Sequence, residues 1–159
     1  METGIIALMK AQMLKCLMNI WPPYRGAGIR VRHISPDYRE VLVEMPLHWY
    51  NRNYVGTHFG GSLSAMTDPF YMLMLIHNLG PAYVVWDKAA CIEFLRPGKG
   101  TVQAHFVLDE AQIAEIRELC ADGQPHFPEF DVAVVNEAGE TVARVHKTLY
   151  VRLKVNPST

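Results

Sequence analysis

Residues 60–79 constrain the fold most, because they are predicted to form a long helix with apolar residues on every side. Gly80-Pro81 is expected to end this helix. Pro69 lies inside it and predicts a kink, since proline removes a backbone donor and clashes one turn back. A helix without a polar face must be buried, so the rest of the chain is expected to wrap around it.

The segments on both sides of this helix have the alternating pattern that is typical of strands. The predicted elements, in chain order, are strands 29–33 and 41–44, the central helix, strands 83–95 and 101–108, a short helix 109–123, and strands 129–135 and 141–155. Turns at 97–100 and 136–139 are expected to close hairpins. The order predicts an α+β fold, a curved antiparallel β-sheet wrapped around a long central helix. Lys147 interrupts the apolar side of the last strand.

A further helix is predicted at the N-terminus, before the residues Trp21-Pro22-Pro23. Lys10 and Lys15 are expected to face solvent. The apolar side is expected to cover part of the domain or of a partner subunit, and it consists of Ile5, Leu8, Met9, Met13, Leu17 and Ile20. Its lysines and a missing cleavage site argue against a signal peptide, and it is too interrupted to span a membrane. A single domain is therefore expected over residues 1–159, with this helix at 1–23 and the core at 24–155.

Composition excludes several classes of function. The chain has 159 residues, of which 50% are hydrophobic, so one domain with a substantial core is expected. A net charge of -1 gives no basic field for nucleic acid. Three widely spaced cysteines fit neither a disulfide framework nor a zinc motif, so a reducing cytoplasm is expected. The histidines are scattered and no dinucleotide or phosphate-loop motif occurs, so neither a metal nor a separate cofactor is expected.

The candidate chemistry centres on Asp68, which lies among apolar residues and is expected to be buried and either paired or used. Gly60 and Gly61 are predicted to begin the helix, where unpaired N–H groups could donate hydrogen bonds to a carbonyl oxygen as an oxyanion hole. An ionised Asp68 could act on water as a general base, or could attack the carbonyl itself. Asn53 could orient that water or the carboxylate.

Other roles stay open for the same residues. Asp68 could hydrogen-bond Ser64 or pair with Lys88, and the glycine pair could be only a tight entry to the helix. Asn53 could be a turn residue, and His58 could be satisfied locally. Arg96 and Lys99 border a predicted turn, where they could be solvated charges or could meet the phosphates of coenzyme A.

Two motifs resemble the hotdog-fold, thioesterase-like superfamily, and specifically the phenylacetate-degradation type of acyl-CoA thioesterase. Asn53 stands seven residues before Gly60, and Asp68 stands seven after Gly61, as in that signature. Residues 92–100 resemble the strand ending in Phe-x-x-Pro that follows the helix in this family. The chain also resembles a hotdog subfamily known only as a domain of unknown function. It departs from the signature at Phe59, where the family has histidine, and at Asp87, where it has a hydroxyl.

The resemblance implies an acyl-CoA thioesterase with Asp68 as base or nucleophile, the Gly61 amide in the oxyanion hole, and Asn53 and His58 as further catalytic candidates. The expected substrate-binding residues are Gly60, Phe59, Ser64, Asp87, Lys88, Arg96 and Lys99. Coenzyme A enters only as part of the substrate. The alternatives are a non-catalytic protein that binds an acyl or fatty ligand and an enoyl-CoA hydratase or dehydratase in which His58 and Asp68 share acid and base work. Subunits that resemble this chain pair through their sheets, so a homodimer or a dimer of dimers is implied, with each site between two chains.

Overall fold

The computed structural model describes residues 4–154. In the described part, five helices and six strands follow one another along the chain. They are α1 (Gly4–Ile20), α2 (Pro22–Ala27), β1 (Arg30–Ile34), β2 (Glu40–Pro46), α3 (Gly60–Ala65), α4 (Phe70–Leu79), β3 (Tyr83–Phe94), β4 (Thr101–Val107), α5 (Glu110–Leu119), β5 (Glu129–Asn136) and β6 (Thr141–Leu153). The predicted end of the last strand, Val155, lies outside the described residues.

The six strands form one sheet in the order β1-β2-β4-β5-β6-β3, and every neighbouring pair is antiparallel. Alternate residues of β4, β5 and β6 are buried, which is the pattern of a sheet with one face on the core. Helix α4 packs on that face, where the Phe70 ring lies 4.9 Å from the ring of Phe106. Met74 and Leu75 of α4 are also buried. The predicted α+β class, with a sheet around a helix, is confirmed.

The predicted central helix is broken into two pieces, so its expected continuity is wrong. Helix α3 ends at Ala65, and α4 begins at Phe70. Pro69 stands immediately before α4, and its peptide bond to Asp68 is cis. Proline has no N–H to continue the hydrogen bonds of α3, which accounts for a break where a kink was predicted. The buried Tyr24 hydroxyl donates a hydrogen bond to the carbonyl oxygen of Asp68 and ties the break to α2.

Only one of the two predicted hairpins exists. The turn at 136–139 joins β5 and β6, which are paired. The turn at 97–100 instead joins β3 and β4, which β5 and β6 separate in the sheet. It therefore arches over one end of the sheet, where the Gly98 carbonyl oxygen accepts a hydrogen bond from the His58 N–H at 2.9 Å.

Of the two predicted roles for the apolar side of α1, covering the domain is wrong, and covering a partner subunit stays a prediction. The buried residues of α1 are Ala11 and Met18, and its Asn19 side chain bonds both backbone polar groups of Val31 at the edge strand β1. The residues expected to cover the domain are exposed instead, namely Ile5, Leu8, Met9, Met13, Leu17 and Ile20. A helix that is apolar on most of its circumference can dock through any side, and here small and hydrogen-bonding residues make the contact. No helix within residues 4–154 is long and apolar enough to cross a membrane.

The other edge of the sheet is formed by β3. This strand pairs with β6 on one side, and within the described chain no strand covers its other side. At 12 residues it is long for an edge strand, and its middle residues Ala89, Ala90 and Cys91 are small and exposed. Natural proteins seldom leave so long an edge open, because its free N–H and C=O groups can pair with another chain.

Candidate active site

A cluster of two carboxylates and one lysine lies beside the break between α3 and α4. Lys147 is on β6 at a position whose neighbours Val145 and Leu149 point into the core, so its side chain is only 2% exposed. Its Nζ donates a hydrogen bond to Asp68 Oδ1 at 2.8 Å and lies 2.9 Å from Asp87 Oδ1. We call Asp68, Asp87 and Lys147 the carboxylate cluster. A buried ammonium requires such partners, since an unpaired charge in the core is costly.

Asp68 is not buried, in contrast to the prediction. Its side chain is 60% exposed, because it lies in the segment where the chain has left α3 and has not yet entered α4. Lys147 holds Oδ1, and more than half of the Asp68 side chain is open to solvent. Lys88, which was considered as a partner, instead lies with Nζ 3.7 Å from the centre of the Phe127 ring.

Ser64 also makes a different contact from the one considered for it. Its carbonyl oxygen accepts a hydrogen bond from the Thr67 hydroxyl at 2.8 Å, within the last turn of α3.

Asp87 is the less exposed carboxylate, at 23%. Burial raises its pKa, and the adjacent Lys147 ammonium acts in the opposite direction. Asp68 lies close enough to raise the pKa of Asp87 further. The site therefore holds two acids around one cation, and these acids differ in their access to water.

Lys147 is a site residue that was absent from the predicted set. The sequence contained a signal for it, because a lysine interrupts the apolar side of an otherwise alternating strand. Its partner Asp68 is 79 residues away in the chain, so the alternation could mark the anomaly without identifying the contact.

A separate cleft of about 690 Å³ lies at the start of α3. It brings together five of the predicted site residues, Asn53, His58, Gly60, Arg96 and Lys99. Its other lining residues are Val55, Thr57, Leu63, Phe94, Leu95, Pro97 and Gly98. We call it the glycine cleft. Neither Asp68 nor any other member of the carboxylate cluster lines it.

Asn53 organises the loop that leads into the glycine cleft. Its side-chain oxygen accepts hydrogen bonds from the N–H groups of Val55 and Thr57. Its amide nitrogen donates to the Thr57 hydroxyl at 2.9 Å and to the His58 carbonyl oxygen at 3.3 Å. Both ends of the amide are thus engaged within the loop, which corresponds to the turn role that the sequence left open.

His58 fixes the turn at 97–100 against this loop. The residue is 3% exposed, and its Nε2 lies 3.0 Å from the Gly100 carbonyl oxygen. A carbonyl only accepts, so we assign the proton to Nε2. Burial lowers the pKa of His58, which favours this neutral form. Its Nδ1 has no hydrogen-bond partner among the described residues.

The glycine pair begins α3 without a side-chain cap. Phe59 occupies the N-cap position, and its side chain cannot accept the hydrogen bonds of the first-turn amides. The Phe59 carbonyl oxygen accepts from the N–H groups of Ser62 and Leu63, whereas the Gly60 and Gly61 amides have no hydrogen-bond partner within residues 4–154. These two amides are therefore the donors at the start of α3 that a ligand oxygen could use.

Both glycines are in close contact with aromatic rings. A Cβ on Gly60 would stand 2.8 Å from Cζ of Phe94, and a Cβ on Gly61 would collide with the Phe59 ring. The absence of side chains at both positions is thus a packing requirement as well as a means of access. Phe59 itself is exposed, so its ring can move.

Two cations lie at the rim of the glycine cleft. Arg96 is exposed, and its Nη1 donates to the Thr141 carbonyl oxygen at 3.1 Å, which leaves the rest of the guanidinium open. Lys99 is exposed on the same turn. Such side chains can bind a phosphate without deep burial.

The carboxylate cluster and the glycine cleft are separate within one chain. Asp87 and Phe94 lie seven residues apart on β3, and the Phe94 ring packs on Gly60. A strand rises about 3.3 Å per residue, so Asp87 and Phe94 are roughly 20 Å apart along β3. Asp68 stands seven residues after Gly61 across α3 and its last turn, which corresponds to about 10 Å. The predicted residues therefore form two separate groups within one chain. Within residues 4–154 no cluster of three or more metal-binding side chains occurs.

Solved structures with the same architecture come from several organisms. A Pseudomonas aeruginosa protein described as a probable thioesterase is 19% identical, with 90% of this chain and 95% of that chain aligned and a TM-score of 0.78. A thioesterase from Haemophilus influenzae is 16% identical, with 94% of each chain aligned and a TM-score of 0.66. The PaaI protein of the Escherichia coli phenylacetic acid degradation operon is 15% identical, with 97% of each chain aligned and a TM-score of 0.61.

No curated protein sequence matches the chain. A protein family does match it, over residues 9–151, and that family is described as a domain of unknown function, DUF4442. The match covers the helix α1 from its second turn and all six strands. The chain therefore belongs to the DUF4442 family and has the hotdog fold that it shares with these solved structures.

Proposed function

We propose that this protein is an acyl-CoA thioesterase whose active site forms between two copies of the chain. The observation that carries the proposal is Asp68, an exposed carboxylate that a buried lysine holds by one oxygen. A carboxylate fixed in this way and open to water on its other side is suited to act as a general base or nucleophile. The names of the P. aeruginosa and H. influenzae proteins favour the same reaction class.

The free edge of β3 supplies the means of joining the two groups of residues. Antiparallel pairing of two β3 strands about an axis between Ala90 and Cys91 places Asp87 of one copy opposite Phe94 of the other. The carboxylate cluster of each copy then approaches the glycine cleft of its partner, and one dimer contains two sites. The small side chains in the middle of β3 permit this close approach.

In the proposed reaction the thioester carbonyl oxygen binds the Gly61 N–H of one copy. In one route, Asp68 of the other copy removes a proton from a water molecule, and that water attacks the carbonyl carbon. In the other route, the Asp68 carboxylate itself attacks the carbonyl carbon to give an anhydride, which water then hydrolyses. Negative charge on the oxygen is stabilised by the amide. The tetrahedral intermediate then expels the thiolate of coenzyme A. Arg96 and Lys99 at the rim offer cations to the phosphates of coenzyme A.

A second candidate function is binding of an acyl or fatty ligand without hydrolysis. The specific observation that favours it is the Phe59 ring, which lies against Gly61 where the thioester oxygen would have to approach. The hydratase alternative requires the His58 ring, and that ring is buried and bonded to Gly100. We find no observation that favours a hydratase.

A panel of acyl-CoA esters assayed for release of free thiol tests the proposal. Asp68→Asn and Asp68→Ala are expected to lower kcat by about 10²–10⁴-fold, since both remove the proton acceptor. Glu115→Gln, a carboxylate-to-amide change on the exposed side of α5, serves as the matched control and should leave turnover unchanged. Hydrolysis that persists at the wild-type rate in both Asp68 variants would show that another group does the chemistry. A protein without turnover that retains a fatty ligand would instead be a binding protein.

A further inference from the structure

The outward side of α1 is an apolar surface that the rest of the described chain leaves uncovered. Ile5, Met9 and Met13 are 72%, 66% and 61% exposed, and they follow one another at the four-residue spacing of one helix face. Ile20, two turns further along, and Trp21 after the helix end are also exposed. Large apolar side chains that are contiguous on a surface mark an interaction site more often than scattered ones do.

This surface lies opposite the side by which α1 is attached to the domain. At about 100° per residue, Met9 and Ile20 fall nearly opposite the buried Ala11 and Met18. The helix therefore rests on the domain by one side and presents its opposite side outwards. Any occupant can reach the whole row without displacing α1.

The charged residues of α1 and of the segment that follows it are of one sign, and Asp37 is the carboxylate that lies beside Lys10 and Met13. Between residues 4 and 36 the chain has no aspartate or glutamate, and its cations there are Lys10, Lys15, Arg25, Arg30 and Arg32. Every aspartate and glutamate except Glu2 lies within residues 37–154, so positive and negative side chains are unevenly distributed along the chain. Lys15, Arg30 and Arg32 line one shallow depression of about 510 Å³ beside α1. Glu44, which lies 3.2 Å from Arg32, is the carboxylate that faces this group.

From this apolar row and its flanking cations, we propose that α1 lies flat on an anionic lipid surface. An apolar helix face rimmed by basic residues inserts among the headgroups, while the cations attract anionic lipids. A second copy of α1 would bring five further cations against the first five, which disfavours self-association through this face. The inference does not depend on the proposed hydrolysis, because it uses neither the carboxylate cluster nor the glycine cleft.

Sedimentation of the full chain with lipid vesicles tests the inference. One set contains phosphatidylcholine alone, and the other contains about 30% phosphatidylglycerol in addition. We expect binding to the anionic vesicles only. The double variant Met9→Glu, Met13→Glu should lose at least tenfold in partition coefficient, and Lys15→Gln or Arg30→Gln should each lose about fivefold. Leu119→Glu is the matched control, since it places the same acid on an exposed apolar position of α5.

The outcomes distinguish an anionic lipid surface from a second copy of the chain as the occupant of the exposed face of α1. Equal binding to both vesicle types, or no binding to either, would overturn the proposal. Light scattering of the wild type and of the Met9→Glu, Met13→Glu variant provides the second measurement. If the wild type assembles through α1 and the variant dissociates it, a second copy occupies the face and the lipid proposal is wrong. The same oligomeric state in both proteins, combined with loss of vesicle binding, supports the proposal.

Discussion

The carboxylate cluster is built from side chains on three separate elements, whereas the glycine cleft is built mainly from backbone and one loop. In the cluster, a buried lysine on a central position of β6 fixes two acids. In the cleft, Asn53 and His58 use their side chains to shape the loop and the turn around two amides. In the proposed reaction the two halves therefore provide different parts of the chemistry. A base must be a titratable side chain with a counterion, and an oxyanion donor needs only a rigid N–H group.

Among changes at the start of α3, the largest effect is expected from removing the Gly61 N–H. Gly61→Pro deletes this donor at a first-turn position, where proline is tolerated because the amide has no intrahelical acceptor. We expect kcat to fall by about 10²–10³-fold, the usual loss when one oxyanion donor is removed. The measurement is thiol release at saturating acyl-CoA, with circular dichroism to confirm the fold.

Gly61→Ala provides the matched control for this prediction. Its Cβ meets the Phe59 ring in the same way as the proline Cβ, but the N–H is retained. The alanine variant should therefore keep most of its turnover. If alanine and proline are equally damaging, crowding by Phe59 determines the effect, and the amide is not the oxyanion donor.

A smaller effect, on stability, is expected when the cation of the carboxylate cluster is removed. Lys147→Met leaves Asp87 partly buried beside Asp68 without a counterion. We expect the free energy of unfolding at neutral pH to fall by about 3 kcal/mol, the low end for breaking a buried pair, because Asp68 can be hydrated. Urea unfolding measures this difference. Lys154→Met, which removes an exposed lysine bonded only to the Pro81 carbonyl oxygen, is the control.

The pH dependence of the stability lost in Lys147→Met identifies the physical cause of that loss. Burial already raises the pKa of Asp87 in the folded protein above its pKa in the unfolded chain. The contribution of Asp87 to the free energy of unfolding therefore declines as the pH rises from the unfolded-state pKa through the folded-state pKa. Without Lys147 the pKa rises further and the decline extends to higher pH. The gap between wild type and Lys147→Met should thus widen from about pH 4 to pH 7. A gap that stays constant over this range would assign the loss to packing of the lysine stem.

The fold could be predicted from sequence because its signals are local. Residues 60–79 are apolar all round and the strands alternate, and these patterns do not depend on distant contacts. The glycine cleft could be predicted in large part, since the loop and the turn that line it are short segments. The partner of Asp68 could not be predicted, because the contact with Lys147 depends on how β6 lies against the break at Pro69. The direction of α1 was also beyond prediction, since its apolar residues occupy most of its circumference.

The comparison of the two halves can be tested directly by mixing two inactive proteins. Asp68→Asn damages only the carboxylate cluster, and Gly61→Pro damages only the glycine cleft. If each site combines the cluster of one chain with the cleft of another, a mixed dimer has one site with both defects and one site with neither. Random reassortment of equal amounts then restores about a quarter of wild-type activity, because half of the dimers are mixed. Co-expression with two affinity tags and purification over both measures the mixed dimer alone.

The control for this mixing experiment combines two defects in the same half. Asp68→Asn mixed with Asp68→Ala gives no dimer with an intact cluster, so activity should stay at the level of the separate variants. Recovery only with the Gly61→Pro partner requires that the two halves act in trans. If the doubly tagged mixed dimer is no more active than its parents, each chain contains its own complete site. The two halves would then have to approach each other by a movement of α3 against β3.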